Sequence, residues 1–401
     1  MANLAPKRKK WAPTDCRRRS RRDPGCLTGK PVSLLPALLA AACAGAPEAD
    51  RPTREPAGRL TEPVPIPVEA PAVRGYVASR AREAPRIDGQ LDEAAWDGVA
   101  WTEPFLDIEG ERRPAPRFET RVRMMWDATR LYIGAVLAEP HLQASLVTRD
   151  TVIYLDNDFE VFVDPDGDTH DYFELEVNAL GTEWDLRLGK PYRDGGRAED
   201  AWDIAGLRTA VSLEGTLNDP SDRDRGWSVE VAIPFAALGL ETPKDGEQWR
   251  ANFSRVEWVF DVAGAGYRKK LDAVSGRPLA EDNWAWSPQY AVNMHMPELW
   301  GIVQFSALSP VADVGIAPLE DARARWSLRR LYYSQRSFRR EHGRWAEHLN
   351  ELALPGLDAG LQLTPATERG SAPPGEAWSA WLRGESGAVW RIRADGRVWK
   401  E

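Results

Sequence analysis

The chain has 401 residues, 43% hydrophobic and 28% charged, with a net charge of −9. That balance supports a sizeable buried core in roughly two or three domains and excludes an intrinsically disordered chain. It also excludes sequence-independent binding to nucleic acid, which needs a cationic footprint.

Cys16, Cys26 and Cys43 are the only cysteines, so nothing after residue 43 can form a disulfide or a thiolate metal site. Residues 1–42 read as a leader. Arg17, Arg18, Arg19, Arg21, Arg22 and Lys30 precede the apolar run 32–42, the order of a secretory signal, and that run is too short to span a bilayer. The stretch Leu38-Leu39-Ala40-Ala41-Ala42-Cys43 resembles a bacterial lipoprotein signal, in which cleavage leaves Cys43 as the acylated first residue. Ordinary cleavage after Ala42 or Ala44 is the alternative. An exported lipoprotein, held to a membrane through Cys43 and facing the periplasm or cell surface, is therefore expected. Removal of residues 1–42 takes away ten basic and two acidic residues and brings the net charge to −17. Residues 43–72, rich in Pro, Ala and Glu without apolar periodicity, read as a solvated tether.

From residue 86 the text changes to strand-length apolar runs at 122–125, 131–136, 159–163, 172–177 and 227–233, separated by Gly, Asp, Asn and Pro. In Trp227-Ser228-Val229-Glu230-Val231-Ala232-Ile233 every odd position is apolar, which gives one buried face and one more polar face. The fold class expected for residues 73–310 is all-β, an antiparallel β-sandwich with short helical turns at 93–96 and 235–238. Residues 311–401 read as a small α+β appendage. Leu328, Leu331, Tyr332 and Phe338 share one face of a helix over 322–340, and Gly343 ends it. Trp345, Leu349 and Leu352 mark a short second helix, and strands follow at 378–382, 389–393 and 397–400, the last two joined across Ala394-Asp395-Gly396. Tryptophan stands out at 18 residues against 10 Phe and 9 Tyr, a surplus that suits stacking on sugars and equally suits a large β-core.

Five blocks carry a family resemblance. They are Ile87-Asp88-Gly89-Gln90-Leu91-Asp92-Glu93-Ala94-Ala95-Trp96; Met125-Trp126-Asp127 with Leu131-Tyr132-Ile133; Asp156-Asn157-Asp158-Phe159-Glu160-Val161-Phe162-Val163-Asp164; Trp227 with Glu230-Val231-Ala232-Ile233-Pro234; and Met296-Pro297 with Trp300-Gly301. In this order they resemble the family 9 carbohydrate-binding modules and their stand-alone exported relatives. The resemblance implies a β-sandwich that binds a carbohydrate ligand between two aromatic rings, with polar side chains gripping its hydroxyls. It places the first ring at Tyr154, the polar grip at Glu160 and Asn178, and the second ring at Met294, which cannot stack as a ring does. Trp284 and Trp286 are the expected substitutes, with structural burial as the alternative reading of both.

Asp164, Asp166, Asp168 and Asp171 bring carboxylates to one loop at a spacing that suits hard oxygen ligands converging on a structural Ca2+. A solvated hairpin turn is the other reading of the same residues. No nucleophile elbow, zinc helix or phosphate-cradling glycine loop occurs, and His141, His170, His295, His342 and His348 are scattered. Three functions follow as expectations. The first is non-catalytic carbohydrate binding in support of polysaccharide breakdown; the others are an O-glycosyl hydrolase component and a scaffold for protein partners.

Overall fold

The computed structural model describes residues 67–308, 314–365 and 377–401. The leader, Cys43 and most of the tether lie outside the described residues.

The strands follow one another as β1 (Gly75–Arg80), β2 (Leu106–Asp107), β3 (Thr120–Trp126), β4 (Arg130–Ala138), β5 (Asp158–Asp164), β6 (Tyr172–Asn178), β7 (Glu183–Leu188) and β8 (Ala198–Glu199). Next come β9 (Arg208–Glu214), β10 (Gly226–Pro234), β11 (Gln248–Glu257), β12 (Phe260–Ala263), β13 (Gly266–Lys269), β14 (Asp282–Ala285) and β15 (Gly301–Ser306). Thirteen of them form one sheet in the order β8-β7-β6-β5-β11-β15-β1-β3-β4-β10-β9, with β14 paired to β11 and β2 paired to β14. Strand β1 runs parallel to both its neighbours, and its ladder to β3 is only two residue pairs long, Ser79 with Met125 and Arg80 with Trp126.

The sheet curls there into two facing halves. Phe159, Val161 and Val163 from one half and Val122, Ile133 and Val229 from the other enter a common core. The odd positions Trp227, Val229, Val231 and Ile233 all point into that core, as their alternation requires. The short helical turns expected before and after this strand occur as 3-10 turns at Ala94–Trp96 and Phe235–Leu238.

Glu230, on the opposite face of β10, fastens the N-terminal segment. Its carboxylate accepts the backbone N–H groups of Asp88 and Gly89, each at 2.9 Å, and the Trp96 indole N–H at 2.8 Å. Gly89 has a φ of +84° and an added Cβ would meet the Val211 carbonyl carbon at 2.5 Å, so the turn admits only glycine.

In the appendage, α1 (Ala322–His342) ends at Gly343 in the left-handed region and lays Leu328, Leu331 and Tyr332 on a sheet of β16 (Gln362–Pro365), β17 (Trp378–Arg383), β18 (Val389–Arg393) and β19 (Val398–Lys400). The second helix expected near Trp345 is replaced by a 3-10 turn at Leu349–Glu351. The Gln335 side chain explains this. It bonds both the N–H and the carbonyl of Ala346, at 2.9 and 3.0 Å, which removes those groups from any helical ladder. Strand β16 was not signalled by its sequence.

Candidate functional site

Because Phe159, Val161 and Val163 of β5 enter the core, Asp158, Glu160 and Phe162 must lie on the other face of the sheet. On neighbouring β6, Asn178 stands opposite Asp158, Glu176 opposite Glu160 and Glu174 opposite Phe162. Ser254 of β11 flanks Glu160 from the other side, and Trp184 of β7 lies across from Glu176. This face therefore gathers four carboxylates beside a tryptophan.

Tyr154 sits at its rim, in a 3-10 turn (Ile153–Leu155) anchored by the buried Ile153. Its N–H donates to Glu176 at 2.9 Å and its carbonyl accepts the Trp258 indole N–H at 2.9 Å. The ring is partly exposed and lies 6.5 Å from the Trp184 ring. Burial, then the charges of Glu176 and Glu160, pushes its phenol up to about 12. The Lys269 ammonium, on the hairpin β12–β13, lies 3.2 Å from the centre of the Trp258 ring. Tyr154, Trp184 and Trp258 thus form a partly exposed aromatic rim. The last two, and the hairpin that carries Lys269, carried no signal in the sequence.

The polar grip differs from expectation. Glu160 is 5% exposed and accepts a hydrogen bond from the Ser254 hydroxyl. Burial pushes its carboxyl up to about 7. Asn178 is fully buried and committed to the β6–β7 turn: its amide donates to the Leu146 carbonyl and to Asp156, and its oxygen accepts from Leu180 and Thr182. No donor or acceptor of Asn178 is left for a ligand, so its place in the grip is corrected to a turn-holding role.

The tryptophan substitutes are corrected as well. Trp284 and Trp286 are 3% and 1% exposed, within the main core. Trp284 packs edge-on to Phe118, and Trp286 fills the space that a side chain at Gly301 would need, its ring 2.4 Å from an added Cβ. Met294 is 8% exposed and packs with Phe162 and Trp300, while its carbonyl accepts the Trp300 indole N–H at 2.7 Å. The second clamp position is therefore core.

The acidic loop lies at the opposite end of β5. Asp164, Asp166 and Asp168 come together there, but Asp171 turns away and pairs with Arg187 at 2.7 Å. The three converging carboxylates fit a hard cation in donor type, yet the appendage already supplies positive charge. Arg397 donates to Asp168 at 2.6 Å, and Arg325 donates to the Gly167 carbonyl at 2.8 Å. Thr169 donates to the Gly396 carbonyl and Val398 to the Asp168 carbonyl, each at 3.1 Å. Nearby, Arg193 bonds Glu298, which also accepts from the Tyr333 hydroxyl; with Arg193 and Arg329 beside it, Glu298 is held down to about 2 despite its burial. Three of the four expected calcium ligands thus converge, and the same loop also docks Arg325 of α1 and residues 396–398 beside β19, at the end of β5 opposite Tyr154.

Residues 87–273 match the family model described as "Carbohydrate family 9 binding domain-like". No curated protein matches the chain. Among solved structures, a carbohydrate binding module family 9 from Caldicellulosiruptor kristjanssonii in complex with cellotriose is similar at 19% identity, covering 61% of this chain and all of that one, with a TM-score of 0.39. The same organism's module in complex with glucose is similar at 18% identity, covering 60% of this chain and all of that one, with a TM-score of 0.39. The segment 87–273, which carries Tyr154, the carboxylate face and the acidic loop, is a carbohydrate-binding module family 9-like domain.

Proposed function

We propose that this protein binds carbohydrate without transforming it, as an exported lipoprotein anchored through Cys43 that supports polysaccharide breakdown. One observation carries the reading: within the family 9-like segment, the partly exposed Tyr154 ring stands beside Trp184 at the rim of a carboxylate-bearing sheet face. The apolar face of a pyranose stacks on such rings, and nearby polar groups select its hydroxyls. The hydrolase alternative requires an acid and a nucleophile flanking an open cleft. Glu160 and Glu176 are 5% and 1% exposed, which speaks against that role.

The scaffold reading is favoured by a separate observation: Asn178 is committed to a turn and Met294 is core, so two of the four family positions present nothing to a sugar. A glycan array and calorimetry on the full-length protein, with and without Ca2+, decide between the readings. Saturable oligosaccharide binding that is lost in Tyr154→Ala supports the proposal. Binding to no glycan moves the assignment to the scaffold, and release of reducing ends moves it to the hydrolase. Metabolic labelling with a lipid analogue, absent in Cys43→Ser, tests the anchor.

A further inference from the structure

Lys269 stands at the aromatic rim on β13, which pairs with β12 so that Lys269 lies opposite Phe260. Tyr267, two residues earlier and on the same face of that strand, ties the hairpin down. Its hydroxyl donates to the Asp219 carbonyl at 3.2 Å and lies 3.3 Å from His141 Nδ1. The Lys269 side chain is thereby carried to Trp258, with its ammonium 3.2 Å from the ring centre, and the Trp258 indole N–H is itself bonded to the Tyr154 carbonyl. The cation and the exposed ring belong to one rim.

This ammonium has the Trp258 ring as its contact and makes no hydrogen bond or ion pair with any described residue. Two carboxylates, Asp156 and Glu281, act on it through space. Asp156 is committed elsewhere: it accepts the N–H groups of Ser145 and Leu146, the Ser145 hydroxyl and the Asn178 amide. Glu281 is partly exposed and acts on Tyr154 and Glu160 as well, so it borders the same rim. Burial pulls the Lys269 ammonium down to about 8, as befits a cation drawn partly out of water without a bonded anion. The acids on the sheet face below do not supply one. Burial pushes Asp158 and Glu176 well up and Glu160 up to about 7, so below about pH 7 these three hold their protons.

We infer that Lys269 sets the class of carbohydrate this rim takes: a uronic acid residue, with its ring stacked at Tyr154 and its carboxylate on the Lys269 ammonium. The inference rests on the sugar reading and adds the charge of the ligand to it. A lysine ammonium carries three N–H donors, and one aromatic face leaves room for oxygen acceptors on the other side. Charge-assisted hydrogen bonds are about twice as strong as neutral ones, so a carboxylate at the sugar's sixth carbon outcompetes the hydroxymethyl group that a neutral hexose has there.

The test compares each acid with its own methyl ester, which keeps the sugar skeleton and removes the charge. Full-length protein is titrated by calorimetry at pH 6.5 with oligogalacturonate and glucuronate-terminated oligosaccharides and with the esters of both. The parent should bind one of the acids at least about tenfold more tightly than its ester, and added salt should narrow the gap. Lys269→Met keeps an apolar stem on Trp258 and should bring the acid's affinity down to that of the ester, whereas Lys269→Arg should preserve the preference. Glu281→Gln should tighten the acid further, because it removes the competing charge. Thermal unfolding of each variant confirms that the fold is intact. Equal binding of acid and ester by the parent, or a preference that survives Lys269→Met, overturns this inference and leaves the sugar reading standing. Binding to neither of these pairs nor to any neutral glycan overturns both.

Discussion

Arg397 on the appendage donates to Asp168 on the sandwich at 2.6 Å, and the neighbouring Val398 N–H donates to the carbonyl of the same aspartate at 3.1 Å. One residue of an acidic loop thus holds the last strand of the chain by side chain and backbone together. The appendage is docked on the family 9-like segment by this loop and by the Arg193–Glu298–Tyr333 group, both of them mostly buried.

Arg397→Ala is therefore expected to destabilise the protein by about 1–3 kcal/mol, because it strips the charged donor from an almost buried carboxylate. Asp168→Asn should cost less, since the amide still accepts from Arg397. Denaturant unfolding of both variants and the double variant gives the coupling. Independent, additive effects would show that this contact does not hold the appendage.

Glu230 receives three N–H donors from Asp88, Gly89 and Trp96. Glu230→Gln keeps one acceptor oxygen and turns an amide towards donors, leaving buried N–H groups unmatched. A loss of about 2–4 kcal/mol is expected by urea unfolding, with sugar binding unaltered because the carboxylate lies on the opposite half of the sheet from Tyr154. A change within about 0.5 kcal/mol would refute the fastening role.

Burial pushes Glu160 up to about 7 and, against the pull of Arg255, Glu257 up to about 8. Both exceed the ordinary value of 4.5, so the folded protein keeps protons that the unfolded chain releases. Their contribution to stability is full below the ordinary value and is lost as pH rises through about 7 and 8. His295, pushed down to about 3 by burial and the Arg193 charge, acts in the opposite sense, but only below its ordinary 6.5. The protein should accordingly lose about 1–2 kcal/mol of stability between about pH 6.5 and 8, and Glu160→Gln should flatten that slope. Denaturant unfolding across this window checks it. A stability that rises with pH there would contradict the assignment.

Much of this architecture was legible because period-two alternation is local: the run 227–233 declares its buried face without outside help. Applied to β5, the same rule turns Glu160 to the face opposite Phe159, Val161 and Val163. It could not show that β6 would place Glu176 directly opposite, or that the face would close over both, because those facts depend on pairing between distant segments. Trp284 and Trp286 share a face by the same period, but alternation does not say which face is the core. The loop at Asp164 presented carboxylates at metal spacing, and the arginine that neutralises Asp168 comes from more than two hundred residues away. Trp345, Leu349 and Leu352 keep helical spacing, yet Gln335 captures the Ala346 backbone and forbids the helix.

The sharpest separation of binding from burial comes from comparing Tyr154, Met294 and Trp284. Tyr154 exposes part of its ring beside Trp184, so Tyr154→Ala should weaken oligosaccharide binding about tenfold while the backbone contacts of its turn persist. Tyr154→Phe keeps the stacking face and should bind nearly as the parent. Trp284→Phe shrinks a core ring that Phe118 and Arg255 pack against, so it should lower stability and leave affinity unchanged. Met294→Trp restores an aromatic residue at the family's second clamp position, but that position is packed against Phe162 and Trp300. Forcing the larger ring in should cost about 1–3 kcal/mol and bring no gain in affinity. Calorimetry with a bound oligosaccharide and thermal unfolding, run on all four variants, read the two effects separately. Should Met294→Trp tighten binding instead, the face at Met294 opens in solution and the site is a two-ring clamp after all.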